Sequence, residues 1–316
     1  MMDVYNATNA ELDAQILRRD RGQVSGIDFE KFLALEIRPR QCLLAPWLPQ
    51  QGLAMIHAPR GIGKTHIALG TAWAVATGTG FLKWNVPDDV GARRVVLLDG
   101  EMPAVVLQER LRAITADRRI TPPLPDYLTI VASDMKRDGL PDLADPAAQR
   151  FYDDVIADGE LIVVDNISSL CRGMKENDAD SWTPVQSWLL AQRRAGKSVL
   201  VIHHSGKSGA QRGTSRKEDA LDTVITLKRP PDYQTGEGAR FEVHFEKARG
   251  FYGPEAEPFE ARLIGNQWAL SEIKSGDDEI VRALHEQGLT IRQISERTGL
   301  SKSAVDRRLR GGGDDA

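Results

Sequence analysis

The segment between residues 53 and 78 constrains the chain most, because it reads as a buried strand, a glycine-bearing loop and a helix in succession. Its sequence is LAMIHAPRGIGKTHIALGTAWAVATG, and the loop ends in Gly63, Lys64 and Thr65. Backbone N–H groups of such a loop wrap phosphate oxygens, and the following helix adds the positive end of its dipole. The alternative is a chance Gly-Lys-Thr in a surface turn, but the flanking strand and helix favour a phosphate cradle.

The pattern G-x-x-x-x-G-K-[ST] gives the positions of this loop distinct roles toward a nucleoside triphosphate. Lys64 is expected to reach the β- and γ-phosphates, and the Thr65 hydroxyl to ligate Mg²⁺. Ala58 stands where the pattern has its first glycine, a position that mainly needs a small residue. The predicted nucleotide-binding residues are Ala58, Pro59, Arg60, Gly61, Ile62, Gly63, Lys64, Thr65 and His66.

Two other apolar strands end in carboxylates suited to phosphate chemistry. LIVVDNISSL places Asp165 at a strand end, where it is predicted to hold the water shell of Mg²⁺. Such an Asp is often a cap or turn residue, but beside a phosphate loop the metal role is favoured.

VVLLDGEMP offers Glu101 as the group that orients or deprotonates an attacking water, with Asp99 as its local competitor. For Glu101 the alternative is an exposed turn carboxylate or a charge in a first helical turn.

Apolar strands and amphipathic helices alternate over residues 41–272, which predicts an α/β core with a mostly parallel central sheet. The predicted strands are 53–57, 94–99, 128–132, 161–165, 198–203, 223–227 and 241–246. Several are continuously apolar, as strands covered on both faces are. Residues 1–40 are polar and charged and are predicted to form an arm. Residues 277–311 follow a small polar break and are predicted to form an all-α domain.

Composition excludes several classes of protein. The net charge of -4 makes a generally basic, nucleic-acid-coating protein improbable. Cys42 and Cys171 have no metal-ligand spacing, and a reduced cytosolic compartment is the simple interpretation. The N-terminus lacks the pattern of a signal peptide, and no apolar run approaches the roughly 20 residues of a membrane helix. The sequence therefore predicts a cytoplasmic protein without a membrane segment.

Beyond these motifs, several stretches resemble a known family. DGEMP, followed by Leu107 and Arg110, resembles the segment after the second strand of DnaB-type replicative helicases, where the glutamate is the catalytic base. VLVIHHSGK resembles the strand whose terminal Gln or His senses the γ-phosphate and couples it to the DNA-binding loop. His204 falls at that position, with His203 beside it. An ordinary hydrogen-bonded histidine at a strand end is the alternative for His204.

FEKARGFYGPEAEPFEARL resembles the late hairpin of RecA-like ring motors, whose Lys-x-Arg pair projects into the nucleotide of the neighbouring subunit. Here the pair is Lys247 and Arg249. Residues two apart on a strand share a face, and two cations beside a transferring phosphoryl group stabilise the charge of its transition state. The alternative is a solvated basic hairpin tip.

The resemblance covers roughly residues 40–270 and is strongest to compact plasmid RepA-type hexameric helicases and their phage and mobile-element relatives. It implies a RecA-like P-loop core, a homo-oligomeric ring of six, ATP with Mg²⁺ at subunit interfaces, and single-stranded DNA in the channel. Primase and initiator proteins are candidate partners. The predicted catalytic residues are Lys64, Glu101, His204, Lys247 and Arg249.

One glycine- and serine-rich segment, residues 205–217, is predicted to contact DNA. Its cations are Lys207, Arg212, Arg216 and Lys217. A flexible backbone with cations suits salt-dependent contact with phosphates, without sequence preference. A surface loop with ordinary charges is the alternative.

The C-terminal tail resembles a helix-turn-helix that binds DNA. Its predicted core consists of Ile280, Leu284, Leu289, Ile294, Leu300, Val305 and Leu309. Ser301 suits the N-cap of the last helix. That helix is predicted to contact DNA through Lys302, Ser303, Arg307 and Arg308, the arrangement of a recognition helix. A helical module that binds another protein is the alternative.

These features lead to one main functional hypothesis and two alternatives. The first is a ring-forming, ATP-dependent DNA helicase for the replication of a plasmid, phage or mobile element. The second is a DNA-binding regulatory ATPase without unwinding activity, in which the tail selects a site. The third is a RecA-like recombination mediator that forms filaments. The DGEMP segment favours the helicase.

Overall fold

The apolar runs of the sequence form the central strands of a large sheet in the computed structural model, which describes residues 26–37, 39–116, 123–174, 179–204, 218–273 and 276–310. The strands are β1 (Cys42–Leu44), β2 (Leu48–Pro49), β3 (Leu53–Ala58), β4 (Gly80–Phe81), β5 (Trp84–Asn85), β6 (Val95–Asp99), β7 (Leu128–Ala132), β8 (Leu161–Asp165), β9 (Ser198–His204), β10 (Thr223–Lys228), β11 (Arg240–Ala248), β12 (Phe259–Ile264) and β13 (Gln267–Glu272). β1 with β2 and β4 with β5 form two antiparallel ribbons, and the other strands form the sheet.

Helices connect most of the parallel strands. The α-helices are α1 (Phe29–Leu33), α2 (Lys64–Thr77), α3 (Ala104–Thr115), α4 (Pro146–Gln149), α5 (Asp153–Ile156), α6 (Ile167–Leu170), α7 (Ala179–Arg194), α8 (Gly276–Glu286), α9 (Ile291–Thr298) and α10 (Lys302–Arg310). Contacts divide the chain into two units, Met1–Arg40 and Gln41–Ala316. In the first unit, Asp28 caps α1 by accepting a hydrogen bond from the N–H of Glu30. No helix in the described parts of the chain is long and apolar enough to span a bilayer.

The strand order within the described sheet is β13-β12-β11-β10-β3-β9-β8-β6-β7. The strands from β10 to β7 in this order run parallel to one another. β11, β12 and β13 extend the sheet in antiparallel fashion beyond β10. Parallel neighbours require crossover connections, which the helices supply. The α/β class with a mostly parallel central sheet is therefore confirmed.

Alternate residues of the central strands pack on opposite faces of the sheet. In β3, Ala54 and Ile56 belong to one apolar cluster, whereas Leu53 and Met55 belong to another. Helix α2 contributes to the first cluster, and α7 contributes side chains such as Trp182 to the second. Burial on both faces explains why these strands are continuously apolar.

The carboxyl ends of the parallel strands place polar residues at one edge of the sheet. Asp99 at the end of β6 is in register with Asp165 at the end of β8. Ala58 at the end of β3 is in register with His204 at the end of β9. In open α/β sheets, ligands bind beyond these strand ends. The fold therefore brings the three predicted site motifs together.

The predicted strands of the core are all present, with ends shifted by up to two residues. β9, for example, continues to His204, and β11 runs from Arg240 to Ala248. The sequence analysis did not predict the ribbons or β13, and it described β12 only as part of a hairpin. β13 is exposed along most of its length, and β12 carries Glu260 and Arg262 between its apolar residues. Edge strands of this kind lack the apolar run that marks a central strand.

The C-terminal tail forms three helices around its own small core. The buried residues are Val281, Leu284, Ile294 and Val305. Gly299 ends α9 at φ +75°, and the Ser301 hydroxyl accepts a hydrogen bond from the N–H of Ala304 at 3.2 Å, so the predicted cap is confirmed. The prediction of Ile280 in the core was wrong, because Ile280 is exposed and Val281 is buried in its place. One step along a helix turns the side chain by about 100°.

Candidate functional site

The loop between β3 and α2 has the backbone that a phosphate cradle needs. Gly61 has φ +74° and Gly63 has φ +119°, a region that favours glycine. A Cβ atom at Gly63 would also lie 3.0 Å from the ring of Phe241. Gly63 is the N-cap of α2 and supplies no side-chain hydrogen bond to the helix. The N-terminal end of α2 thus keeps the backbone donors that bind anions in such loops.

Lys64 folds back over the loop from which it projects. Its ammonium group donates hydrogen bonds to the carbonyl oxygens of Ala58 at 2.9 Å and Pro59 at 2.7 Å. Burial lowers the pKa of Lys64 to about 8, and the nearby Asp165 acts in the opposite direction. A cation held within the cradle is in place to exchange these carbonyl oxygens for phosphate oxygens.

Asp165 provides an oxygen suited to a divalent cation. Its side chain is buried, it accepts a hydrogen bond from the side chain of Thr65, and its Oδ2 has no hydrogen-bond partner among the described residues. Burial, and then the charge of Asp99, raise the pKa of Asp165 to about 7. A buried carboxylate oxygen without a donor is costly unless a cation compensates it. The pair of Thr65 and Asp165 therefore fits Mg²⁺, which prefers hydroxyl and carboxylate oxygens.

Asp99 and Glu101 have different environments, which separates their roles. Asp99 is buried, and its Oδ1 accepts hydrogen bonds from the N–H groups of Glu101 at 2.9 Å and Met102 at 2.6 Å. The Glu101 side chain is 60% exposed and reaches the cavity beside the phosphate loop. Asp99 thus shapes the turn that carries Glu101, and Glu101 is the carboxylate accessible to water.

Two polar side chains contact the same oxygen of Glu101. Nδ2 of Asn166 donates a short hydrogen bond to Oε2, and Nε2 of His204 lies 3.4 Å from it. Burial and then Lys64 lower the pKa of His204, although Glu101 acts in the opposite direction. The imidazole is therefore a neutral hydrogen-bond partner near pH 7, and not a permanent cation.

These groups surround a cavity of about 700 Å³. Of the residues predicted from the sequence, those that line it are Arg60, Gly61, Gly63, Lys64, Thr65, His66, Asp99, Glu101, Asp165 and His204. Ala58, Pro59 and Ile62 do not line it. Ala58 and Ile62 are buried in the apolar core, and Pro59 takes part through its carbonyl oxygen.

Lys247 and Arg249 lie away from the cavity of their own chain. β10 runs parallel to β3, with Thr223 beside Ala54 at the start of both strands. β11 runs antiparallel to β10 and places Ala248 opposite Thr223. The end of β11 therefore lies at the sheet edge opposite the phosphate loop. Because of this position, the pair has no access to the nucleotide site within its own chain.

The two cations are held by one turn. Lys247 donates a hydrogen bond to the carbonyl oxygen of Glu218, and Arg249 donates one to that of Asp219 at 3.4 Å. The expectation that both residues belong to one strand was wrong, because β11 ends at Ala248 and Arg249 follows in a bend. Shared contacts with a single turn, and not strand periodicity, keep the pair together.

Three residues near the loop were given no role in the sequence analysis, although Arg110 was named there as part of the segment after the second strand. Asn166 follows Asp165 directly, but an Asn after a strand has no distinctive pattern. Arg110 lines the cavity near Asp99 and Asp165, whose charges oppose the lowering of its pKa by burial. Tyr233 lines the cavity from the loop between β10 and β11, and the guanidinium of Arg229 lies 4.3 Å from its ring centre. Only the folded hairpin brings that tyrosine to the phosphate loop.

The residues predicted to contact DNA are only partly described. Lys207, Arg212, Arg216 and Lys217 lie outside the described residues, as does the side chain of Arg307. On α10, Lys302 and Ser303 are exposed, whereas Arg308 is half-buried and donates a hydrogen bond to the carbonyl oxygen of Ala304. The exposed start of α10 is therefore its most accessible part among the described side chains.

Comparisons with known proteins support two parts of this description. Residues 18–210, more than half of the chain, match the family described as AAA domain. Residues 279–310 match the family described as bacterial regulatory protein, arsR family. No curated protein matches the sequence. The crystal structure of a KaiC-like protein from the hyperthermophilic archaeon Pyrococcus horikoshii is similar over 72% of this chain and 93% of that chain, with 16% identity and a TM-score of 0.49.

Proposed function

The chain belongs to the AAA domain family and combines a RecA-like P-loop ATPase core with a C-terminal helix-turn-helix, and from this premise we propose that it is a DNA helicase driven by ATP. In this proposal the protein forms a homo-oligomeric ring, hydrolyses ATP between subunits and translocates on single-stranded DNA. It serves the replication of a plasmid, phage or mobile element. The observation that carries the proposal is the position of the phosphate loop at one end of the parallel strands and of Lys247 and Arg249 at the opposite end.

The first half of the site binds and activates ATP. The loop and Lys64 hold the phosphates, with Lys64 exchanging its bonds to loop carbonyl oxygens for bonds to phosphate. Thr65 and Asp165 are the residues that would hold Mg²⁺, which when bound neutralises charge on the β- and γ-phosphates. Glu101 accepts a proton from the water that attacks the γ-phosphorus. Tyr233 offers an aromatic face for the base at the mouth of the cavity.

The second half of the site is supplied by a neighbouring subunit. Lys247 and Arg249 are anchored to one turn at the far edge of the sheet, where their own phosphate loop is out of reach. Cations from a neighbour would complete the charge stabilisation of the transition state. Turnover would then require assembly, and hydrolysis in one subunit would depend on the position of the next.

In this proposal the ATPase cycle moves the protein along single-stranded DNA. His204 is the last residue of β9 and contacts Glu101, so it links the hydrolytic carboxylate to the segment that begins at residue 205. The cations of that segment are proposed to contact phosphates of single-stranded DNA. The helix-turn-helix adds a contact with duplex DNA through α10. Primase or initiator proteins are proposed as partners in replication.

Unwinding of a forked duplex tests the helicase proposal. Two substrates are compared, one with a 5′ and one with a 3′ single-stranded arm. In the presence of ATP and Mg²⁺ the purified chain is expected to unwind at least one of them, and the Lys64→Ala variant is expected to unwind neither. Lys83→Ala serves as a matched control, because the Lys83 ammonium group donates to the carbonyl oxygen of Glu257 outside the cavity. An oligomer that hydrolyses ATP and unwinds neither fork would overturn the proposal.

A DNA-binding regulatory ATPase is the second candidate, favoured by the match of the tail to a family of bacterial regulatory proteins. Such a protein would protect a defined duplex site, hydrolyse ATP and leave forks intact. Footprinting on duplex fragments together with the fork assay separates the two. A recombination mediator would instead form filaments on single-stranded DNA, which electron microscopy with ATP distinguishes from closed rings.

A further inference from the structure

Asn166 has a defined orientation because both ends of its amide are engaged. Its Oδ1 accepts a hydrogen bond from the backbone N–H of Ser169 at 3.2 Å, as the N-cap of α6. Its Nδ2 donates to Oε2 of Glu101. Reversing the amide would place an NH₂ group against the Ser169 N–H and an oxygen against the carboxylate. The cap thus directs the amide donor to Glu101.

We propose that Asn166 is a positioning residue for ATP hydrolysis, which holds the Glu101 carboxylate in place for the attacking water. The inference rests on the proposed function, because it assumes that Glu101 is the base. Asn166 is buried, whereas the Glu101 side chain is 60% exposed. An exposed carboxylate on a turn samples several rotamers, and a fixed donor selects one of them.

The two carboxylate oxygens of Glu101 have different contacts, which gives them different roles. Asn166 and His204 both contact Oε2. Oε1 has no hydrogen-bond partner among the described residues, so it is the oxygen that receives the proton from water. His204 restrains the carboxylate less strongly than Asn166 does, since its Nε2 lies 3.4 Å from Oε2. Asn166 therefore sets the orientation and His204 adjusts it.

Two substitutions at this position keep the cap and remove the donor to Glu101. Asn166→Ser retains a short oxygen for the Ser169 N–H but does not reach Glu101. Asn166→Asp retains the shape and places a carboxylate against another carboxylate. We expect kcat to fall about tenfold in the first and about a hundredfold in the second, with nucleotide affinity within about threefold of the original chain. Asn266→Ser, the same change at an exposed asparagine that does not line the cavity, is expected to retain activity within about twofold.

A double-mutant cycle shows whether Asn166 acts through Glu101. Single-turnover hydrolysis of radiolabelled ATP by the full chain is measured for Asn166→Ser, Glu101→Gln and the double variant, with binding of a fluorescent ATP analogue measured separately. Without a carboxylate to position, Asn166→Ser is expected to have no further effect in the Glu101→Gln background. A tenfold loss in both backgrounds, or unchanged kcat in both Asn166 variants, would overturn the proposal.

The same cycle distinguishes this inference from the proposed function. If Glu101→Gln hydrolyses ATP as fast as the original chain, the assignment of the base is wrong and the positioning role fails with it, whereas the helicase proposal is decided separately by the fork assay. If Glu101→Gln is inactive and Asn166→Asp is fully active, the ATPase mechanism stands and only the positioning role fails. Thermal unfolding of each variant identifies any loss that comes from misfolding, and the Asn166→Ser variant then provides the decisive comparison.

Discussion

Nε2 of His204 lies 3.4 Å from Oε2 of Glu101, so the tip of β9 touches the carboxylate proposed to activate water. His204 is also the last residue before the basic segment proposed to contact DNA. Because burial lowers the pKa of His204, the contact is made by a neutral imidazole near pH 7. His204 thus contacts the proposed base and directly precedes the segment proposed to contact DNA.

Substitution of His204 tests this connection. His204→Ala is expected to lower ATP hydrolysis stimulated by single-stranded DNA about tenfold, with a smaller effect on the unstimulated rate. His204→Gln keeps a neutral polar group and is expected to retain most of the stimulation. Steady-state hydrolysis with and without a thymidine oligonucleotide measures both. His244→Ala, at a histidine that contacts Glu242 and does not line the cavity, is the control, and full stimulation of His204→Ala would contradict the prediction.

Removal of the loop lysine tests the nucleotide site itself. Lys64→Ala is expected to reduce kcat for ATP about a hundredfold and to weaken binding of an ATP analogue, because the ammonium group that bonds to the loop carbonyl oxygens, and is proposed to exchange them for phosphate, is lost. Lys83→Ala is the matched control, since the pKa of Lys83 is also lowered by burial and its side chain lies outside the cavity. Equal losses in the two variants would indicate a general effect on folding.

The buried carboxylate of Asp165 predicts a dependence of stability on pH. Burial raises its pKa from 3.8 to about 7, so between these values the folded protein holds a proton that the unfolded chain has released. The contribution of Asp165 to stability therefore falls as pH rises through this window, and it is constant above it.

Asp165→Asn removes this ionisation. With EDTA and without nucleotide, the gain in melting temperature of Asp165→Asn over the original chain is expected to grow between pH 5 and pH 7 and then to level off. Thermal unfolding followed by circular dichroism measures the difference. Asp158→Asn is the control, because the Asp158 side chain is 83% exposed. A gain that is independent of pH would show that Asp165 does not titrate as its burial indicates.

The sequence predicted those parts of the site that depend on local pattern, and it missed those that depend on distant contacts. The continuous apolar strands, the loop glycines and the carboxylates at strand ends can each be recognised from a few neighbouring residues. Tyr233 and Asn166 acquire their roles only from folding, because the cavity collects them from the β10–β11 loop and from the residue beside Asp165. The phase of α8 was misjudged by one residue, since Ile280 and Val281 are both apolar and only packing selects between them.

Mixing of two inactive variants tests whether Arg249 acts on a neighbour. Arg249→Ala is expected to bind ATP normally and to lose turnover about a hundredfold, because it leaves the loop of its own chain intact. In mixed assemblies, a Lys64→Ala subunit still carries Arg249 and is able to complete the intact loop of an Arg249→Ala subunit. Activity is therefore expected to reappear on mixing.

The control for this experiment pairs Lys64→Ala with Glu101→Gln. Both changes affect the loop side of the site, so every interface in this mixture contains a defective loop side, and activity is expected to stay lost on mixing. Arg262→Ala, an exposed change on β12, is expected to be active without mixing. If Arg249→Ala is fully active alone, the role in the neighbouring subunit is wrong.

Contact of α10 with duplex DNA predicts a change in salt dependence. Lys302 is exposed at the start of α10, and its removal is expected to reduce the slope of log K against log salt by about one for a phosphate contact. Fluorescence anisotropy with a labelled duplex at several salt concentrations measures the slope. Arg292→Ala is a matched control, because Arg292 is an exposed cation on α9 that pairs with Glu296 at 3.1 Å. Equal slopes for the original chain and Lys302→Ala, with unchanged affinity, would favour the view that the tail binds a protein and not DNA.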